Sequence, residues 1–209
     1  MRAAAILLGA YLLGSIPWSY LVVLLLRRQD IRTVGSGNVG ATNVLRAAGR
    51  LPAALALLLD VGKGAAAVAL ARALEPSKAL AGLAALAVIA GHVFPVFLGW
   101  RGGKGVATTA GAFGALAPLP TLLSAALFVL VVLWRRYVSL GSIVGVGLFP
   151  LFLYLCGLWG FTGEPSPQLV AAAVAAAALV VGRHASNLRR LRAGSEPRLG
   201  ERRREGAAA

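Results

Sequence analysis

Apolar and polar positions fall into long blocks along this chain, and the blocks themselves predict the elements. Residues 3–26, 52–74, 79–98, 138–158 and 168–182 are almost wholly apolar. All but the last are as long as the ~20 residues a helix needs to cross a bilayer. Residues 105–134 form a further block, which reads as one long kinked span or as two short helices turning at Pro118-Leu119-Pro120. Polar segments lie between the blocks: 27–50, a short loop marked by Arg72, Glu75 and Lys78, then 99–104, 160–167 and an Arg-rich 183–209. Pro17 predicts a kink in the first span, and Pro52 marks the first helical position of the second. Arg27 and Arg28 follow the first block without a small-residue cleavage site. That block is therefore expected to be a membrane helix and not a signal peptide.

Charge chooses between the two readings of 105–134. With two helices there, the chain crosses seven times from an outer N-terminus. Segments 27–50, 99–104, 134–137 and 183–209 then all face the cytoplasm and hold 17 of the 21 basic residues. Arg2, Arg72 and Lys78 remain outside. One span would divide Arg135-Arg136 and the tail from the earlier basic loops, so the positive-inside rule selects seven. The expected fold is an all-α integral membrane protein with seven transmembrane helices, N-terminus outside and C-terminus cytoplasmic. Residues 1–200 are expected to form a single polytopic domain, and 201–209 a basic, disordered tail.

Composition agrees and narrows the chemistry. The chain is 58% hydrophobic and 13% charged, which excludes an ordinary soluble domain. Cys156 is the single cysteine, and His92 and His184 are the only histidines. No disulfide framework, thiolate metal site or zinc site is expected. Topology accounts for most of the net charge of +14; it does not account for the Gly, Ser, Asn and Thr clusters, all on the predicted cytoplasmic side.

Five stretches carry those clusters. Gly35-Ser36-Gly37-Asn38-Val39-Gly40-Ala41-Thr42-Asn43 offers many hydrogen-bond donors. Asn43 is expected to cap a short helix to Gly49 that brings Arg46 in as a bidentate anion ligand; a tight surface loop is the alternative. Asp60-Val61-Gly62-Lys63-Gly64 places two charges inside a span, where they pair at i, i+3 and serve either structure or function. Gly99 to Gly111 includes Gly102, Gly103, Lys104 and Gly105 just before a helix. Its glycines would leave backbone N–H groups bare for an anion at the helix N-terminus. The alternative is a membrane-edge turn with a snorkelling lysine. It is no Walker A loop, since Leu98 stands where the first Gly belongs and Gly105 follows the lysine. Ser139-Leu140-Gly141-Ser142 starts a span. His184-Ala185-Ser186-Asn187 precedes an arginine run and Glu196, with His184 the best candidate for proton transfer near neutral pH. The common theme is phosphate binding at one membrane face.

Taken in order from about residue 11 to 200, these stretches resemble the bacterial membrane acyl-phosphate:glycerol-3-phosphate acyltransferases, the PlsY type. The resemblance also rests on Leu13-Gly14-Ser15-Ile16-Pro17, Gly91-His92 and Thr108; Trp100 departs from the family's pattern. It implies transfer of a fatty acyl group from acyl phosphate to the sn-1 hydroxyl of glycerol 3-phosphate. The products are 1-acylglycerol 3-phosphate and inorganic phosphate, as the first step of phospholipid synthesis. It implies functional roles for Ser36, Arg46, His184 and Asn187, a phosphate loop at Gly102 to Gly105, and a structural role for Glu196. With the residue chemistry it makes Ser36, Arg46, Lys104, His184 and Asn187 the catalytic candidates. Gly37, Asn38, Thr42, Asn43, Lys63, Gly102, Gly103, Gly105, Thr108 and Ser142 are substrate-binding candidates, and Asp60 and Glu196 structural ones. No cofactor, metal or nucleic acid is expected. The expected partners are glycerol 3-phosphate, acyl phosphate, membrane lipid and a soluble enzyme that hands over acyl phosphate. The protein is expected to work as a monomer, multi-pass in the bacterial cytoplasmic (inner) membrane. The rival classes are an organic-phosphate transporter, which would bind at the midplane and often show inverted repeats that are not visible here, and a structural membrane protein, which leaves the Gly/Asn clusters unexplained.

Overall fold

The computed structural model describes residues 1–161 and 166–201. Residues 162–165 of the predicted 160–167 loop, and the tail beyond residue 201 with Arg202 to Arg204, lie outside the described residues. Within them the chain is all-helical: α1 (Arg2–Ser15), α2 (Trp18–Arg27), α3 (Ala41–Ala48), α4 (Arg50–Leu74), α5 (Lys78–Val93), α6 (Val106–Gly114), α7 (Pro118–Arg135), α8 (Val138–Leu158), α9 (Pro167–Gly182) and α10 (Ala185–Arg192). Single 3-10 turns occupy Ile31–Thr33 and Val96–Leu98.

Five stretches are long and apolar enough to cross a membrane, counting α1 and α2 together, or six if α9 and α10, bent by 56°, are one. The bend suits the chemistry, because α10 carries Arg189, Arg190 and Arg192 on its last turn. The 105–134 block does split, but unequally. Its turn falls just before Pro118, which opens α7 where a missing N–H costs nothing. α6 has 9 residues and α7 has 18. At ~1.5 Å per residue α6 is about 13 Å long, short of a full crossing. The first span is broken, not merely kinked: Ile16 is extended and Pro17 separates α1 from α2. Pro52 is the third residue of α4, which begins at Arg50.

α5 is the centre, touching α1, α4, α6 and α9. It contributes Val88, Ile89 and Val93 to a core completed by Phe113, Phe149 and Val180. In a lipid solvent helices gain little from hiding apolar area, and close backbone approach takes over. A Cβ on Gly14 would stand 2.1 Å from the Val88 carbonyl oxygen, and one on Gly91 2.1 Å from that of Tyr11, so α1 and α5 touch backbone to backbone. Gly64 and Gly111 do the same for α4 and α6. Arg72, at the C-terminal end of α4, donates to the Ala115 carbonyl at 3.2 Å. The two ends of α6 therefore lie at opposite poles, Lys104 before one and Arg72 at the other.

Candidate active site

The first loop is built around Asn43. This residue lies inside α3, whose cap position is Gly40, so it does not cap the helix as expected. Its side chain is buried. It accepts the Ser36 N–H at 2.9 Å and donates to the carbonyls of Ile31 at 3.1 Å and Val34 at 2.9 Å. Asn43 thus shapes the loop from beneath, while Ser36, Gly37 and the last-turn Arg46 stand exposed. Asn38 and Thr42 flank them.

The glycine loop departs from expectation in one respect. The Gly102 and Gly103 N–H groups are not bare, because they donate to the carbonyls of Val93 at 3.2 Å and His92 at 3.1 Å. These glycines serve close packing: a Cβ on Gly103 would lie 2.2 Å from His92 Nε2 and 2.6 Å from the Val39 carbonyl oxygen. Gly105, at φ 88°, turns the chain into α6. The Lys104 and Gly105 amides, one residue further on, donate to no acceptor among the described residues.

Lys104 is the hub. Its Nζ donates to Asn187 Oδ1 at 2.5 Å. Asn187 Nδ2 donates to Glu196 Oε1 at 2.6 Å, as does Ser139 Oγ at 2.6 Å, and Arg190 Nε reaches Glu196 Oε2 at 2.7 Å. Glu196 is therefore occupied by three donors, consistent with a structural part. Burial raises its pKa, yet the hydrogen bonds from Ser139, Asn187 and Arg190 outweigh that and hold it below the usual carboxylate range. Burial pushes the Lys104 ammonium down to about 8, against the pull of Glu196 and with help from Arg190, Arg46 and Arg183. His184, past the end of α9, is pushed down to about 4 by burial and then by Lys104. Its Nδ1 lies 2.8 Å from the Val180 carbonyl, which can only accept, so the ring proton sits on Nδ1 and Nε2 offers a lone pair.

The remaining candidates sit apart from this hub. Ser142 Oγ donates to the Val138 carbonyl at 2.9 Å. Thr108 is fully buried with no partner for its hydroxyl among the described residues. Lys63 and Asp60 pair at 2.8 Å deep in α4, both 2% exposed at the side chain. Ser36 makes its hydrogen bond to Asn43, within its own loop, and not to the Lys104 network. Motif spacing does not single out Arg183 and Arg190, although both act on Lys104. The signal available for them is positional, since Arg183 precedes His184 and Arg190 follows Asn187 by one helical turn.

A multi-pass helical membrane bundle that gathers Lys104, Arg183 and Arg190 at one end, with Glu196 held there by three donors, defines a class of membrane protein whose site suits anionic molecules next to lipid. The chain belongs to the glycerol-3-phosphate acyltransferase family, whose model matches residues 4–194. It is similar to the glycerol-3-phosphate acyltransferase of Prochlorococcus marinus (strain MIT 9313), 47% identical over 93% of this chain and 94% of that one. The corresponding protein of Desulforamulus reducens is 42% identical over 94% of each chain. The crystal structure of PlsY, an integral membrane glycerol 3-phosphate acyltransferase, superposes in its glycerol 3-phosphate form with a TM-score of 0.88 at 38% identity, covering 96% of both chains. Its lysophosphatidic acid form gives 0.86 at 36% identity, again over 96% of both.

Proposed function

We propose that this protein transfers a fatty acyl group from acyl phosphate to the sn-1 hydroxyl of glycerol 3-phosphate, releasing 1-acylglycerol 3-phosphate and inorganic phosphate. The observation that carries the reading is Lys104 held by Asn187 and acted on by Arg46, Arg183 and Arg190, while Glu196 is fully engaged. Two phosphate-bearing substrates call for such a concentration of cations. The crystal neighbours are described in glycerol 3-phosphate and lysophosphatidic acid forms, the acceptor and product of this reaction.

The attacking hydroxyl joins the acyl carbon, the anhydride C–O bond breaks, and the electron pair leaves with phosphate. An acyl phosphate already has a good leaving group, so positioning and charge stabilisation can supply the acceleration without a protein nucleophile. Lys104, Arg46 and the open amides at Lys104 and Gly105 hold phosphate oxygens, with Ser36, Gly37, Asn38 and Thr42 closing the first loop over them. His184 Nε2 accepts a hydrogen bond from the hydroxyl and orients it. A ring with a pKa of about 4 is too weak a base to keep the proton, which passes to the departing phosphate. No cofactor or metal takes part.

The same reading places the Lys104 pole in the cytoplasm of a bacterium, with α6 completing a seventh, shortened crossing and the N-terminus outside. The protein works as a monomer supplied with acyl phosphate by a soluble enzyme. The test gives purified protein in micelles labelled glycerol 3-phosphate with acyl phosphate, and in parallel with acyl-CoA. Lysophosphatidic acid from acyl phosphate alone is the expected result. Product from acyl-CoA alone overturns the donor. No product from either, with uptake in vesicles, makes the protein a transporter.

A further inference from the structure

The cluster of Asp60, Lys63 and His92 lies deep between α1, α2, α4 and α5, outside the Lys104 network. Its members are 2%, 4% and 8% exposed. Charges buried at this depth are costly and persist where they serve a function.

Three contacts define what the cluster touches. Lys63 Nζ donates to the Ile16 carbonyl at 2.8 Å while pairing with Asp60 Oδ1 at 2.8 Å. Ile16 is the residue at which the first span breaks; the Tyr20 N–H donates to Pro17 instead of to Ile16, and the Ile16 carbonyl accepts from the Trp18 N–H at 3.1 Å and from the Lys63 ammonium. Asp60 Oδ2 accepts from Ser19 Oγ at 3.2 Å, on the other side of the same break. Asp60 Oδ1 also lies 3.5 Å from His92 Nδ1. The carboxylate thereby meets the second half of the first span at Ser19 and α5 at His92, and its partner Lys63 holds the break at Ile16.

The far side of His92 is the glycine loop. Its Nε2 abuts Gly103, its carbonyl accepts the Gly103 N–H, and the neighbouring Val93 carbonyl accepts the Gly102 N–H. Gly103 is wedged at the same time against the Val39 carbonyl of the first loop. A small cavity is lined by Ile16, Ser19, Val39, Lys63, His92 and Gly103. The first-span break, the first loop and the glycine loop therefore meet on one buried polar cluster. The residue after Gly103 is Lys104.

We propose that Asp60, Lys63 and His92 are positioning residues. Asp60 orients the His92 ring, the ring and its carbonyl set the height of Gly103, and Gly103 sets where Lys104 presents its ammonium and amide. Lys63 on this account is no substrate ligand; it seals the helix break so that Asp60 can face His92. The inference rests on the reading of Lys104 as a phosphate ligand.

The experiment compares His92→Gln, Asp60→Asn and Lys104→Met as purified, monodisperse proteins, measuring KM for glycerol 3-phosphate, kcat and the pH profile. His92→Gln and Asp60→Asn should each raise KM about tenfold, the scale expected when a ligand is displaced by a fraction of an ångström. Both should also move the alkaline limb of kcat/KM that Lys104 sets, which a loss of stability alone would not do. Asp60→Glu should restore part of the KM. Unchanged KM and pH profile in both variants, with Lys104→Met impaired, overturns this inference and leaves the function standing. Lys104→Met without effect overturns the reading beneath it. Should neither cluster variant yield monodisperse protein, Ser19→Ala removes one contact to Asp60 and is expected to raise KM by about twofold; an unchanged KM there overturns the proposal.

Discussion

Lys104 shows how one residue's chemistry comes from its neighbours. Burial and three arginines bring its pKa to about 8, so its ammonium is present below that pH and is lost as pH rises through it. The expected outcome is a fall in kcat/KM for glycerol 3-phosphate above about pH 8. Lys104→Arg should remove that limb, since a guanidinium stays charged. A pH–rate profile of both proteins checks this. Lys104→Met should cost about 10- to 100-fold in KM, the loss of one charge-assisted hydrogen bond. His184 behaves differently, because a histidine already neutral at pH 7 cannot add an acidic limb near its ordinary range. Asn43 and the two loop glycines teach the residue-scale lesson in reverse. Their types are those of an anion cradle, yet their hydrogen bonds go to the protein's own backbone.

Among the elements, the pairing of α4 with α6 decides the most. α6 is short and apolar, with nothing in its length to hold it, and it stays because Gly64 and Gly111 let the two backbones touch. A Cβ on Gly111 would lie 1.9 Å from the Val61 carbonyl oxygen, and one on Gly64 2.3 Å from that of Thr108. Both obstacles are backbone, which cannot swing aside. Gly111→Val should lower stability by about 1–3 kcal/mol or more, the usual cost of overpacking. Because α6 follows Lys104 directly, activity should fall in the protein that remains folded. A melting curve in detergent beside a specific-activity assay checks both. Gly62 is the control, because a Cβ there would meet no atom within 4 Å, and Gly62→Ala should be neutral in both assays.

For the whole molecule, basic residues concentrate at the pole that holds the site. In a Cys156→Ser background, Arg101→Cys should react with an impermeant thiol reagent only from the cytoplasmic side, and Pro76→Cys only from outside. Both positions are exposed. The opposite pattern would reverse the proposed orientation. Apolar blocks, prolines and charge were enough to read the helical class, the α8 boundaries to the residue and the division at 105–134. These are properties of local stretches of chain in lipid, where length and charge dominate. The motifs and the family resemblance grouped Ser36, Arg46, Lys104, His184 and Asn187 as catalytic candidates with Glu196 as a structural one; the hydrogen bonds join Lys104, Asn187 and Glu196, while Ser36 bonds within its own loop. Only the tertiary structure decided which donors remain open to a ligand, that the first span breaks at Ile16 with Lys63 against its carbonyl, and that Arg183 and Arg190 join the field at Lys104. Each of those depends on distances between residues far apart in sequence, and a residue's type does not say whether its hydrogen bonds are already taken.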